Sequence, residues 1–257
     1  MASSTLPSRT PPWKRCSPVF TPILAGLKRG IGETFTNPLY VLVQAVWIAL
    51  LAIVFFHVWY NVVEEPERVL AYIAVAEAFW VTAGTRVSRT MEREYNGGRM
   101  DSRLLRPLPL WLQYFSEVLG PGLVTYTLLV LVLDLLLYAY AGVWLNPILA
   151  LPAYIFFLTA DVLVYFILGT FVVDLGRVNV LTWITSKIDL VFVLVPRAVL
   201  GDLPYLIVPS AYIYYWPATF ALKGSIPLFW FAGVALMLLL AVLAEKRMVR
   251  KIEVFGG

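Results

Sequence analysis

The sequence predicts an all-α integral membrane protein with six transmembrane helices. Hydrophobic residues make up 60% of its 257 residues, and only 14% are charged, whereas about a quarter are charged in a typical soluble domain. The mean hydropathy is +0.79. Several apolar runs approach the roughly 20 residues that a helix needs to cross a bilayer. Because the lipid interior offers no hydrogen-bonding partners, runs of this kind are expected to be helices.

Reading the chain for such runs gives six predicted spans with little chain between them. In order they are Leu39–Tyr60, Val69–Thr85, Leu123–Trp144, Ile148–Val173, Leu190–Ile207 and Pro227–Ala244. Residues 1–18 form a Pro-, Ser- and Arg-rich segment that we predict to be a disordered cytoplasmic tail. Residues 19–257 are then expected to form a single transmembrane domain.

The basic residues predict the orientation of the chain, because loops rich in Lys and Arg stay in the cytoplasm. Most of the 20 basic residues flank the spans on one side, including the arginine-rich connection between the second and third spans. The opposite side carries the acidic residues Glu64, Glu65 and Glu67. Both termini are therefore predicted to be cytoplasmic. The net charge of +4 reflects this topology and gives no reason to expect a nucleic-acid partner.

The connection between the second and third spans has the pattern of a short amphipathic helix. Its apolar face consists of Met100, Leu104 and Leu108, with Leu105 beside them. Its polar face consists of Asp101, Ser102, Arg103 and Arg106. Glycines before it, and Pro107 and Pro109 after it, limit the helix to about two turns. A helix this short is not stable alone in water, so it needs either the bilayer surface or a partner to pack against.

This connection resembles the cytoplasmic coupling segment of type-2 ABC transporter permeases, in which an acidic residue and a glycine precede a short leucine- and proline-containing turn. The matching residues are Glu94, Gly98, Met100, Asp101, Leu104, Leu105, Arg106 and Pro107. Arg99 departs from the pattern, which often has Thr or Glu there. Residues 19–38 are similar to the family's amphipathic elbow helix, which lies along the cytoplasmic surface.

The resemblance implies a permease subunit of an ABC exporter in the cell membrane. It would pair with a second permease copy, identical or related, and with two ABC ATPase subunits that bind ATP and Mg²⁺. The coupling helix would sit in a cleft of the ATPase. No catalytic, cofactor or metal site is expected on this chain. The sequence has no Gly-Lys dipeptide and therefore no phosphate-binding G-x-x-x-x-G-K-[ST] loop, so another chain would have to bind and hydrolyse the ATP.

Four ionisable residues lie well within the predicted spans: Glu77, Asp134, Asp161 and Arg197. A charge at the bilayer centre costs on the order of 3 kcal/mol unless it is paired or hydrated, so these residues are expected to face the bundle interior. We predict that Arg197 pairs with one of the three acids and fixes the fifth span. The alternative is that the acids line a polar path or carry protons.

Residues 200–225 combine three prolines with many aromatic residues, so a straight helix is not expected there. Tyr and Trp side chains favour membrane interfaces, which makes anchoring the plainer interpretation. In the resembling family this segment forms the outer gate of the export path. The candidate gate residues are Tyr212, Tyr214, Tyr215 and Trp216.

Two other classes of function were considered. A membrane enzyme is disfavoured, because a zinc protease needs two histidines in H-E-x-x-H and the chain has one. A gradient-driven secondary transporter or channel would use Glu77, Asp134 and Asp161 for ion coupling and would need no ATPase. The substrate stays open among drugs, lipids, lipid-linked glycans and sodium.

Overall fold

The computed structural model describes residues 28, 31–32, 38–83, 85–106 and 108–255, and all the regular secondary structure in these ranges is helical. The all-α prediction is therefore confirmed. The predicted tail, nearly all of the predicted elbow helix and Pro107 lie outside the described residues.

The helices are numbered here in chain order. They are α1 (Pro38–Trp59), α2 (Pro66–Thr82), α3 (Arg86–Asn96), α4 (Met100–Leu104), α5 (Leu110–Ala141), α6 (Pro147–Thr170), α7 (Val172–Leu175), α8 (Asn179–Leu194), α9 (Arg197–Leu200), α10 (Asp202–Ile207), α11 (Trp216–Lys223) and α12 (Leu228–Phe255). A π-helical turn, Ala211–Tyr215, leads directly into α11.

Within the described ranges, four helical segments are long and apolar enough to cross a membrane. They are Leu39–Trp59, Leu110–Ala141, Pro147–Leu175 and Leu228–Glu253. These segments coincide with the first, third, fourth and sixth predicted spans. At the second predicted span, α2 has 17 residues and a largely buried surface. The second and fifth membrane crossings remain predictions.

The predicted fifth span, Leu190–Ile207, is not one continuous helix. Helix α8 ends at Leu194, and Val195 is extended with φ −100° and ψ 122°. The physical reason is Pro196, which disfavours the helical conformation in the residue before it. The chain then continues as the short helices α9 and α10, separated by Gly201 at φ 76°.

Helix α5 begins at Leu110, well before the predicted start at Leu123, and it runs through Pro121. The sequence prediction omitted its first turns because they carry polar residues such as Gln113 and Glu117. Those polar residues form hydrogen bonds with α4 and with the segment that follows it, as described below. Helix α12 likewise continues to Phe255, so the basic stretch near the C-terminus is helical.

Helix α6 lies at the centre of the bundle and contacts α3, α5, α11 and α12, while α1 packs against α2 and α5. Aromatic rings fill the space where these helices meet. The Phe79 and Phe157 rings stack with centroids 4.6 Å apart, and the Tyr126 and Tyr154 rings do the same at 4.6 Å. Stacked aromatic pairs of this kind add to the energy of burial. A rigid core therefore supports the connection that carries α3 and α4.

Candidate functional site

The turn between α3 and α4 is closed by backbone hydrogen bonds. Gly98 adopts a left-handed φ of 63°, a conformation that glycine reaches without the strain a side chain would impose. The Arg99 backbone N–H then donates to the Glu94 backbone carbonyl at 2.9 Å. The Ser102 hydroxyl donates to the Arg99 carbonyl at 2.8 Å. The chain thus leaves α3 and enters α4 through one defined turn.

Arg103 anchors α4 to both of its neighbouring helices. Its Nε and Nη2 atoms donate to the two carboxylate oxygens of Glu94, in α3, at 2.6 and 2.5 Å. Its Nη1 and Nη2 atoms donate to the carboxylate of Glu117, in α5, at 2.8 and 2.9 Å. The Arg103 side chain is only 8% exposed. Two-pronged arginine–carboxylate pairs are the strong and directional class of ion pair.

Further side chains of α5 complete this anchor. The Tyr114 hydroxyl donates to Glu94 Oε2 at 2.7 Å, and the Tyr114 ring centroid lies 4.4 Å from the guanidinium carbon of Arg103. The Gln113 amide donates to the backbone carbonyls of Arg103 and Leu108 at 3.2 and 2.8 Å. Burial by itself would lower the pKa of Arg103, but hydrogen bonds to the two glutamates outweigh it and raise the pKa above its ordinary value.

The structure corrects the assignment of the two faces of α4. Met100 is 3% exposed, so it packs inside the protein instead of lying on an exposed docking face, and Arg103 is buried as well. Arg103 is buried because it pairs with Glu94 of α3 and Glu117 of α5. Met100 is buried with it because residues three apart share one face of a helix. Leu104 is partly buried, whereas Leu105 is 87% exposed. The exposed surface, called here the docking surface, consists of Asp101, Ser102, Leu105 and Arg106.

A groove of about 750 Å³ lies beside the docking surface. One wall is formed by Leu105, Arg106 and neighbouring residues, and the other by Val249 and Glu253 of α12. Glu245 of α12 accepts a hydrogen bond from the Leu110 N–H at 2.9 Å, which joins this end of α12 to the start of α5. The arginine-rich connection and the C-terminal end of α12 are therefore on the same side of the protein.

Asp174 also holds this end of α12 in place. Its carboxylate accepts a hydrogen bond from Arg247 at 2.6 Å and a second from Lys251. Arg247 lies over the ring of Phe171 at 5.5 Å. Helices α7 and α12 are thus joined close to the groove.

The acids predicted inside the spans have different environments. Asp134 accepts a hydrogen bond from the Leu145 N–H at 2.6 Å, so it closes the turn between α5 and α6. Asp161 is fully buried, and neither of its carboxylate oxygens accepts a hydrogen bond from a described residue. Glu77 is 2% exposed, and its Oε1 also has no partner in the described chain.

Asp189 is a fourth buried acid, which the sequence analysis did not identify. It is fully buried in α8 and accepts a hydrogen bond from the Tyr165 hydroxyl at 2.5 Å. Its second carboxylate oxygen, Oδ1, has no hydrogen-bond partner among the described residues. Asp189 was missed because the predicted fifth span began one residue later, at Leu190. The apolar residues on both sides of Asp189 were the signal that could have revealed it.

Arg197 does not pair with any of the predicted acids. Its guanidinium contacts the Asp202 carboxylate at 2.6 Å, and these side chains are 38% and 73% exposed. It also lies 5.6 Å from the ring of Trp216. The prediction that Arg197 pairs with one of these acids was therefore wrong, because the helix break at Pro196 places Arg197 at the partly exposed start of α9, beside an acid five residues away.

The predicted gate aromatics pack inside the protein. Tyr214 is fully buried, Tyr212 and Trp216 are nearly so, and Tyr215 is half-buried. Trp216 Nε1 donates to the Tyr205 carbonyl at 3.0 Å, and the Tyr212 hydroxyl donates to the Leu206 carbonyl at 2.9 Å. These bonds satisfy backbone groups that the helix breaks leave unpaired. The side chains hold the broken segment together, and a gating role stays a prediction.

Among the described residues, no group of three or more His, Cys, Asp and Glu side chains is arranged to hold a metal ion. The glutamates of the anchor are instead occupied by Arg103. Within the described chain, the arrangement leaves a partly apolar surface exposed on α4, and the ion pairs of Arg103 hold this helix against α3 and α5.

Comparison with known proteins gives one family match. The sequence model of a family described as "ABC-2 family transporter protein" matches residues 66–252, which includes the whole connection between α2 and α5. No curated protein and no solved structure matches the chain.

Proposed function

Because this chain belongs to the ABC-2 family of transporter proteins, we propose that it is the membrane-spanning permease subunit of an ATP-driven exporter. It is a membrane transport protein, and in our proposal a separate ATPase subunit binds and hydrolyses ATP with Mg²⁺. Substrate movement would follow from conformational changes that the ATPase transmits to the helices. The cell membrane is the proposed location, with both termini on the cytoplasmic side.

The observation that carries this proposal is the anchored helix α4 with its exposed leucine. A five-residue helix does not persist by itself in water, yet the Arg103 anchor fixes α4 to α3 and α5. Leu105 follows it with 87% of its surface exposed, beside a groove of about 750 Å³. We propose that this exposed leucine, on a helix held in place and flanked by charged residues, forms the centre of the contact with the ATPase.

The anchor also gives the docking surface a route to the membrane helices. A force on α4 acts through Arg103 on Glu94 in α3 and on Glu117 in α5. Helix α5 continues from Leu110 to Ala141, a length of 32 residues, which corresponds to roughly 48 Å. We propose that ATPase closure moves α4 and thereby tilts α3 and α5 together.

A second permease copy, identical or related, completes the proposed assembly. Helix α1 exposes large apolar residues along its length, including Leu39, Val43, Trp47, Leu50 and Val54. In a bilayer this face meets either lipid or another permease.

The test is to purify the tagged protein gently from its native membranes and identify the proteins that accompany it by mass spectrometry. The proposal predicts a roughly stoichiometric partner that carries a phosphate-binding G-x-x-x-x-G-K-[ST] loop. A stable oligomer without any nucleotide-binding partner would contradict it.

The buried acids support a second candidate function, a gradient-driven transporter. Glu77, Asp161 and Asp189 come from three different helices, and acids buried within membrane proteins often mark ion paths. This candidate predicts activity without nucleotide and no ATPase in the purified material. The same purification therefore separates the two candidates.

A further inference from the structure

A second and larger groove lies away from the docking surface, between α1, α2, α3 and α8. Its volume is about 1370 Å³. This exceeds the volume of a typical small-molecule pocket, which is roughly 300–1000 Å³. Neither the proposed ATPase contact nor the buried acids use it.

Three arginines of α3 line one side of this groove. Arg86, Arg89 and Arg93 are spaced three and four residues apart and so share one face of the helix. All three are exposed and line the groove. Arg93 donates within its own helix, to Thr90 Oγ1 at 3.1 Å. In the described chain none of the three arginines forms a salt bridge.

Among the described residues that line the groove, Glu92 is the one carboxylate. Its Oε2 accepts a hydrogen bond from the Val178 N–H at 3.3 Å. The described residues that line the groove therefore carry three positive charges and one negative charge. Guanidinium groups bind phosphate and carboxylate with two-pronged hydrogen bonds, which favours an anionic occupant.

The other wall of the groove is apolar and aromatic. Val43 and Trp47 of α1 contribute to it with 56% and 59% of their surfaces exposed. Trp80 and Val81 of α2 lie in the same wall. A small soluble anion would leave these side chains uncovered, and a neutral apolar molecule would leave the arginines without a partner.

We propose that this groove binds an amphipathic anion, with an anionic headgroup at Arg86, Arg89 and Arg93 and a hydrocarbon tail along Val43, Trp47 and Trp80. Only a molecule with both parts matches the two walls. The site deepens the proposed function by naming a substrate class, and it rests on that function for its position at the cytoplasmic leaflet. Binding to the groove is measured without an ATPase, so it can fail or succeed independently of ATPase docking.

The test uses the full chain in phosphatidylcholine nanodiscs that contain a minor fraction of brominated phosphatidate. Bromine quenches tryptophan fluorescence on contact, so phosphatidate in the groove quenches Trp47 and Trp80. We expect stronger quenching than with the same fraction of brominated phosphatidylcholine. Because the chain has nine tryptophans, the double variant Trp47→Phe/Trp80→Phe localises the signal, and the phosphatidate-specific part should disappear in it.

A charge-matched pair of variants separates this site from general attraction to anionic lipid. The groove variant is Arg86→Gln/Arg89→Gln/Arg93→Gln, and we expect its apparent phosphatidate affinity to fall about tenfold or more. The control removes the same number of exposed charges elsewhere, as Arg177→Gln/Lys246→Gln/Arg250→Gln, and should change the affinity less than about threefold. Equal loss in both variants would overturn the proposal. So would equal quenching by the two lipids.

Two further arms identify other occupants of the groove. Glycerol phosphate carries the headgroup without a tail, and we expect it to compete poorly. Competition as effective as that of phosphatidate would show a free-anion site and overturn the amphipathic assignment.

In a Cys16→Ser background, Trp47→Cys reports contact between two copies. If the disulfide-linked dimer forms completely, and phosphatidate does not lower its amount, a second permease fills the groove. That result also overturns the proposal.

Discussion

Glu94 and Arg103 face each other across the turn between α3 and α4, joined by two hydrogen bonds of 2.6 and 2.5 Å. They are nine positions apart in the sequence, and Gly98, with its left-handed φ, makes the reversal between them possible. This pair fixes the position of α4, and it leaves Leu105 as the apolar residue that points away from the protein.

Replacing Arg103 should destabilise the protein. The variant Arg103→Gln leaves the Glu94 and Glu117 carboxylates close together without their cation. Removing one partner of a buried ion pair costs about 3–5 kcal/mol, and the 40% exposure of Glu117 places this case near roughly 2–4 kcal/mol. The measurement is the thermal unfolding of the detergent-purified protein.

Arg106→Gln is the matched control, because Arg106 is exposed and forms no salt bridge with a described residue. It should unfold within a degree or two of the parent, as expected for an exposed surface change. The double variant Glu94→Gln/Arg103→Gln should recover part of the lost stability. Equal melting temperatures for the Arg103 and Arg106 variants would show that the anchor contributes little.

Hydropathy and charge predicted the helical class and the four long spans, because these depend on composition averaged over many residues. The same averaging missed the start of α5, whose polar first turns pack on protein and not on lipid. The faces of α4 were misassigned for a related reason. Helical periodicity alone puts Arg103 on the solvent side, and only the positions of Glu94 and Glu117 in space make its burial favourable.

Asp161 and Asp134 should respond differently to substitution. Asp161 is buried without a hydrogen-bond partner among the described residues, so Asp161→Asn removes a group whose charged form is costly to bury and should leave the melting temperature unchanged or higher. Asp134 accepts the Leu145 N–H, so Asp134→Ala should cost roughly 1–2 kcal/mol. Unfolding of the Asp161→Asn variant would contradict this expectation and would show that the Asp161 carboxylate has a structural partner.

The contact between Gly122 and Tyr154 should not tolerate a larger side chain. A Cβ at Gly122 would overlap the Tyr154 hydroxyl and lie 3.2 Å from the ring carbon that carries it, and the Tyr154 side chain is fully buried. Gly122→Ala should therefore destabilise the protein by about 1–3 kcal/mol. Adding Tyr154→Phe removes the overlapping atom and should restore part of this loss. If the two substitutions change the free energy of unfolding additively, the side chains at positions 122 and 154 are not in contact.

Arg197→Ala should have little effect on folding. Its partner Asp202 is 73% exposed, and exposed ion pairs contribute about 0–1 kcal/mol. The melting temperature and the oligomeric state seen by size-exclusion chromatography should match those of the parent. A strong loss of stability would instead support the buried pairing that the sequence suggested.

The buried acids and the broken fifth segment show where sequence reasoning reached its limit. An acid inside an apolar run marks an interior position, but its partner depends on which helices adjoin it. The three prolines within residues 200–225 predicted a bent segment, but the predicted fifth span ran through Pro196, where α8 ends. The place of each bend also depends on contacts such as that of Trp216 with the Tyr205 carbonyl. The hydrophobic periodicity of a sequence does not predict which residues make such contacts.

The central claim is that the docking surface binds an ATPase through Leu105, and a pair of leucine variants tests it most directly. Leu105→Glu places a charge in the proposed contact. Leu228→Glu makes the same change at a leucine that is 85% exposed, at the start of α12 and roughly 30 Å along that helix from the groove. The measurement is the molar ratio of nucleotide-binding partner to permease after gentle purification. We predict that the ratio falls about tenfold or more for Leu105→Glu and is unchanged for Leu228→Glu. An unchanged ratio for both variants would contradict the account.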